Sequence, residues 1–211
     1  MKQKKLRLKL LQYTALELFV LIFIFFGLFA KNWFTLSNFV TIIKQASYVG
    51  ILAIGITFPL ITAGTDLSVG AVMFLSMSSA ALVLGKGAPL WAAIVLALAI
   101  GAVSGIINGF FVVNMKVMPF IATLGTMTVL RGVTLLLTDS RALDIPKYLT
   151  SKFGSGKLFG VLPYPALVFL ILLVIFHVVL TRTALGRRIL ACGNNREAAE
   201  KAGINTSLTV Y

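Results

Sequence analysis

The chain is short of charge, and acid is its scarcest part. Of 211 residues, 12% are charged, with 19 Lys and Arg against 6 Asp and Glu, while 59% are hydrophobic. Ordinary soluble domains are roughly 45–50% apolar and about 25% charged. Mean hydropathy is +0.99, and such a chain has too little polar surface to face water. A soluble all-α bundle is therefore not expected. Cys192 is the sole cysteine, so neither an internal disulfide nor a cysteine metal cluster can form. His177 is the sole histidine and lies in an apolar run that holds no serine, which excludes a triad and a zinc constellation. It reads as a packing or interface residue. There is no GxSxG and no Gly-rich phosphate loop, so neither serine hydrolysis nor Walker-type ATP binding is expected. No enzyme and no resident cofactor are implied.

The net charge of +13 would suggest nucleic acid in a soluble domain. Here aromatic and basic residues do not interleave, and much of the excess sits beside apolar runs. Lys and Arg in that position orient spans and meet anionic lipid head groups. Membrane lipids are the expected partners of this charge, and nucleic acid is not.

What the chain does have is long apolar runs. Six stretches are long enough, or nearly so, to cross a bilayer: Leu11–Ala30, Tyr48–Ala63, Leu67–Gly85, Leu90–Val113, Pro119–Thr138 and Pro163–Leu180. About 20 helical residues cross the hydrocarbon core. The expected fold is an all-α integral membrane protein, a polytopic helical bundle in a single domain over residues 1–211. Only Gly64, Thr65 and Asp66 separate the second and third runs. That joint is too tight for an ordinary loop, so a broken or re-entrant helix is expected near Asp66, enclosed by protein or by a water-filled cavity. Asn32–Ser47 mixes Trp33, Phe34, Phe39, Ile42 and Ile43 with polar residues. It reads as an interfacial amphipathic helix with Ser37 or Asn38 as its cap.

Lys2, Lys4, Lys5, Arg7 and Lys9 precede the first run, and Arg182, Arg187, Arg188, Arg196 and Lys201 follow the last. Both ends are expected in the cytoplasm, with six crossings between them. The opposite loop, Asp139–Leu162, carries Arg141, Lys147, Lys152 and Lys157, which pulls the other way. No small-x-small site follows the first apolar run, so the first span is expected to be retained. Small residues at Gly50, Gly55, Gly70, Ser76, Ser78, Ser79, Gly101, Ser104, Gly105 and Gly109 read as packing positions.

Two ionisable residues sit in or near the spans. Asp66, with Thr65 and Ser68 beside it, is expected to cap the helix that begins near Leu67 and thereby to shape a solute path. Arg131 lies well inside the fifth run, where it either faces solute, bonds another helix or snorkels. Thr123, Thr126, Thr128 and Thr134 give the same run a polar component, and Pro119 suits its start.

The stretch TRTALGRRILACGNNREAAEKAGIN, Thr181–Asn205, is polar and helix-forming. Asn194 or Asn195 serves as cap, Arg196–Ala202 as a short helix, and Gly203 as its left-handed stop. Ala198, Ala199 and Ala202 form a small apolar face. Two turns are marginal alone in water, so this helix must dock, either in a groove on a partner or on its own bundle.

These residues resemble a family. Glu197–Gly203 (EAAEKAG) is similar to the coupling element of bacterial ABC importer permeases. With TDLSVG, PFIATLGTM and GRRILACGNNREAAEKAGIN in that order, the chain resembles the ribose-type sugar permease family from about Asn32 onward. It departs at Thr65, where Ile is usual, and at Asn194 and Arg196, where Gly and Pro are frequent. The resemblance implies an inner-membrane permease subunit of an ATP-driven sugar importer. A cytoplasmic ATPase, which uses the ATP, would dock on the 181–207 loop through Asn195, Glu197, Ala198, Ala199 and Gly203. An extracytoplasmic binding protein would deliver solute, and a second permease copy or paralogue would complete the pore. Asp66, Ser68, Phe120, Thr123 and Arg131 are the expected pathway or gating residues. The family enters a further span near Thr209–Tyr211, so a partial chain is expected. A secondary transporter or channel, and a non-transporting scaffold, are the competing readings.

Overall fold

A computed structural model describes residues 14–145 and 154–211. The basic cluster Lys2–Lys9, the first residues of the expected first span, and Lys147 and Lys152 lie outside the described residues. The chain divides into two compact units, Met1–Gln45 and Ala46–Tyr211.

In the first unit, helix α1 (Thr14–Phe29) has no buried residue, as suits a helix that faces hydrocarbon. Helix α2 spans Leu36–Ile61 and crosses the boundary between the units. The expected interfacial helix over Asn32–Ser47 and the expected second span are therefore one helix of 26 residues. No Gly or Pro stands between them to break the backbone, and polar residues alone do not end a helix. Neither Ser37 nor Asn38 is the cap. Thr35 Oγ1 accepts from the Asn38 N–H at 3.3 Å, and the Asn38 side chain holds the Trp33 carbonyl at 2.9 Å. The turn is packed by rings, with Phe26 stacked on Trp33 at 5.4 Å.

The second unit contains α3 (Val69–Gly85), α4 (Leu90–Gly109) with a π-helical turn after it (Phe110–Asn114), and α5 (Pro119–Leu137). A two-stranded hairpin follows, β1 (Lys157–Leu158) and β2 (Leu162–Pro163), then α6 (Tyr164–Arg182), α7 (Ala184–Asn194), α8 (Arg196–Lys201) and α9 (Thr206–Val210). Among the described residues, four helical stretches are long and apolar enough to cross a membrane: Leu36–Ile61, Leu90–Asn114, Pro119–Leu137 and Tyr164–Arg182. The other two expected spans form shorter apolar helices, α1 with 16 residues and α3 with 17, each about 25 Å long.

Helix α3 packs on both α4 and α5. Its buried residues are Ala71, Leu75, Ser78 and Ala81; Ala93 and Ser104 are buried on α4, and Ala122, Thr123 and Thr134 on α5. Small side chains let these backbones approach. Ser76 Oγ also donates to the Ala97 carbonyl across the seam at 3.2 Å. The expected packing glycines divide. Gly50 faces the Phe169 ring and Gly109 the Tyr211 ring, but Gly55, Gly70, Gly101 and Gly105 meet open space. Helix α6 packs its Phe176 edge-on against Phe58 at 5.3 Å.

Candidate functional site

The end of α2 and the start of α3 enclose a non-helical break, residues 62–68. Helix α2 closes with Ala63 in the left-handed region, φ 60°. The Gly64 N–H reaches back to the Pro59 carbonyl at 2.8 Å, and the Ala63 N–H to Leu60 at 3.1 Å, the paired bonds of a Schellman end. Residues 64–68 form no regular element, so their backbone polar groups need other partners. A side chain of α5 supplies one. Thr123 Oγ1 of α5 accepts from the Leu67 N–H at 3.2 Å. The same hydroxyl lies 3.1 Å from the Thr65 carbonyl and 2.8 Å from the Pro119 carbonyl, either of which can take its proton.

Asp66 does not cap α3. That helix begins at Val69 with Ser68 at the cap position. Asp66 Oδ1 instead accepts from the Ser68 N–H at 2.7 Å and from Ser68 Oγ at 2.6 Å. This is a local side-chain turn two residues ahead of the helix, the typical work of Asp in loops. Ser68 Oγ in turn accepts from Asn108 Nδ2 of α4 at 2.9 Å. The result is a directed chain, Asn108 to Ser68 to Asp66. Ser68, Asn108 and Thr123 are all buried, and Asn108 Oδ1 has no hydrogen-bond partner among the described residues.

The expected pathway residues therefore separate. Asp66, Ser68 and Thr123 belong to one polar cluster. Phe120 lies one turn earlier on α5 and is exposed. Arg131 is exposed and makes no hydrogen bond or ion pair among the described residues. It sits two turns beyond Thr123, about 12 Å along the axis, so it does not join the cluster and no inter-helix bond to it is formed there. Asn108 was not among the expected residues. Its signal is a lone amide in the apolar run IINGF.

The polar stretch forms α7 and α8. Thr183 caps α7, its Oγ1 accepting from the Gly186 N–H at 3.2 Å. Gly186, Ile189 and Cys192 are buried along one face, and Arg187 and Arg188 are exposed. Asn195, not Asn194, caps α8, with Oδ1 accepting from the Ala198 N–H at 2.9 Å. The helix ends at Lys201, one residue before the expected Ala202. Gly203 at φ +82° supplies the left-handed residue. Its N–H bonds Glu200 at 2.9 Å while that of Ile204 bonds Ala199 at 3.0 Å, again the Schellman pair. The expected alanine face is divided: Ala199 is buried, whereas Ala198 and Ala202 are exposed. Successive helical residues are turned about 100° apart, so Glu197 and Lys201 point the opposite way from Ala199. Thr206 bonds both the Glu200 carboxylate and Arg196, fixing α8 to α9.

This polar element meets the break. A Cβ on Gly193 of α7 would lie 1.9 Å from the Ile61 carbonyl oxygen, at the end of α2. One on Gly186 would lie 2.1 Å from the Leu180 carbonyl of α6. Tyr211 packs on Gly109 and hydrogen-bonds Asn114. The ends of α2 and α4, the starts of α3 and α5, and α7 thus gather at one end of the second unit.

A family described as branched-chain amino acid transport system / permease component matches residues 38–211. Ribose import permease protein RbsC of Haemophilus influenzae is 36% identical over 200 residues, 93% of this chain and 61% of its own length. Galactofuranose transporter permease protein YtfT of Escherichia coli is 39% identical over 171 residues, 81% of this chain and 50% of its own. Autoinducer 2 import system permease protein LsrC of Yersinia pestis is 34% identical over 200 residues, 94% and 56%. The chain thus spans between half and two thirds of the length of these relatives. No solved structure matches. The broken helix at Asp66, the helices that follow it and the capped polar element after α6 all fall within the matched residues, and the chain belongs to the family of branched-chain amino acid transport system permease components.

Proposed function

We propose that this chain is the membrane-spanning permease subunit of an ATP-driven importer that carries a sugar, ribose or a related monosaccharide, into the cytoplasm. The named activities of the relatives, ribose, galactofuranose and autoinducer 2 import, support that substrate class. The location is a bacterial inner membrane, with the N-terminus and the α7–α8 element on the cytoplasmic side. A separate cytoplasmic ATPase hydrolyses ATP, a binding protein delivers solute from outside, and a second permease copy or paralogue completes the pathway.

The observation that carries this reading is α8. It is closed at both ends, packs on α7 and has Ala199 buried. It leaves Glu197, Ala198, Lys201 and Ala202 exposed. A two-turn helix fixed in that way is a rigid knob, and a knob on a membrane protein's cytoplasmic end suits docking of a soluble subunit. Asn195 and Gly203 hold its shape, and Glu197 and Ala198 offer contact. ATP-driven movement of the ATPase displaces α8, and α7 carries the displacement to the end of α2. Asp66, Ser68 and Thr123 set the break there, and Phe120 and Arg131 line the path beyond. Asp66 engages Oδ1 as a turn former does, which favours this role over an ion-carrying carboxylate in a secondary transporter.

The test is co-purification with a co-expressed cytoplasmic ABC ATPase. Glu197→Lys reverses the outer charge, and Gly203→Pro forbids the left-handed φ. Loss of association in both variants is expected. Full association in both would remove the docking role.

A further inference from the structure

We propose that the hairpin Lys157–Pro163 is a lipid-interface anchor, with Phe159 entering the outer head-group layer of an anionic phospholipid bilayer. The turn places Phe159 and Gly160 both at positive φ, 53° and 75°, and the Val161 N–H closes it onto the Leu158 carbonyl at 3.3 Å. The loop is the three residues Phe159–Val161, and two successive positive φ values suit Asn or Gly but strain a bulky aromatic. The strain earns no packing within the chain, because Phe159 is 93% exposed. A strained, bare aromatic points to an external contact.

Position identifies that contact. The hairpin is built directly on the end of a span: β2 runs into α6 at Tyr164, whose N–H bonds the Gly156 carbonyl at 3.2 Å. Helix α6 has 19 residues, about 28 Å, which matches a hydrocarbon core of about 30 Å. Tyr164 therefore marks the core boundary at the end opposite α7. Two-residue strands reach about 7 Å, comparable to a head-group layer of about 5–8 Å on each side. Phe159 and Val161, the latter 52% exposed, are held within that layer. Residues 154–163 contain Lys157 and no acid, which suits lipid phosphate. Aromatic and basic residues at this level are the usual interface anchors. The inference does not depend on transport.

The full chain with Trp33→Phe, Trp91→Phe and Phe159→Trp has a single indole. It would be reconstituted into phosphatidylethanolamine–phosphatidylglycerol vesicles with bromine near the top of the acyl chains. The emission is expected to fall by about half relative to unbrominated vesicles, as for an indole seated at the acyl boundary. Equal emission in both vesicles overturns the proposal. A second probe needs no tryptophan change. Cys192 is the sole cysteine and is buried, so Phe159→Cys can be spin-labelled selectively. Greater collision with oxygen than with a water-soluble nickel chelate is expected. The reverse order, or protection of the label only by an added binding protein, overturns the lipid assignment.

Discussion

The α-carbon of Gly193 lies against the carbonyl oxygen of Ile61, so close that a Cβ there would fall 1.9 Å from that oxygen. One partner belongs to the polar helix α7 and the other to the last residue of α2, beside the break that holds Asp66. A contact between two backbones has no side chain to yield. It passes displacement between α7 and the break without the slack that a flexible side chain would introduce.

Gly193→Ala is therefore the sharpest perturbation of the proposed route. Overpacking of this kind costs about 1–3 kcal/mol, here met by moving α7 off α2. Sugar uptake in vesicles is expected to fall steeply, while the ATPase still co-purifies because α8 keeps both of its ends. Gly101→Ala is the control, since Gly101 meets open space. Normal uptake by the Gly193 variant would show that the approach transmits nothing.

Thr123 supports the break from α5, and its two roles can be separated by substitution. Thr123→Val keeps the shape but removes the acceptor for the Leu67 N–H. A buried donor left unpaired costs about 1–3 kcal/mol. Thr123→Ser retains the hydroxyl. Thermal unfolding in detergent should show a clear loss for Val and a small one for Ser. Equal losses would mean that the methyl, not the hydroxyl, matters at this site.

What could be read in advance was local or set by length. The apolar runs locate the helices, because a minimum number of residues must cross the membrane. Gly203 follows from neighbouring backbone chemistry, and the cap was narrowed to two adjacent asparagines. The continuity of α2 was hidden, since polar residues near Ser47 look the same on a membrane surface as in a helix entering it. Ala198 and Ala199 could not be told apart without the neighbouring helices, among which one of them is buried. Asn108 and Gly193 escaped for a shared reason: each matters through a residue far away in the chain, Ser68 and Ile61, and no periodicity announces such a partner.

Asn195 is expected to act through its cap and not through its identity. Replacing an N-cap by Ala costs about 1 kcal/mol, a large amount for a helix of six residues. Asn195→Ala should weaken ATPase association, and Asn195→Asp, which keeps the acceptor for the Ala198 N–H, should preserve it. The two are compared by the salt concentration that releases the ATPase from immobilised permease. Should Asp weaken association as much as Ala, the amide itself touches the partner.

Asn108 tests the hydrogen-bond chain. Its Nδ2 donates to Ser68 Oγ, whose own proton goes to Asp66, and its Oδ1 is unpaired among the described residues. Asn108→Leu loses one neutral bond, about 0.5–1.5 kcal/mol, and also removes a buried acceptor that lacked a donor. Its net cost should be smaller than that of Thr123→Val. Asn108→Asp is different. It places a second carboxylate against a hydroxyl already committed to Asp66, and a buried, unpaired charge is strongly destabilising. The expected order in thermal unfolding is wild type, then Leu, with Asp far below. An Asp variant as stable as wild type would overturn that order and show that no buried charge forms at position 108.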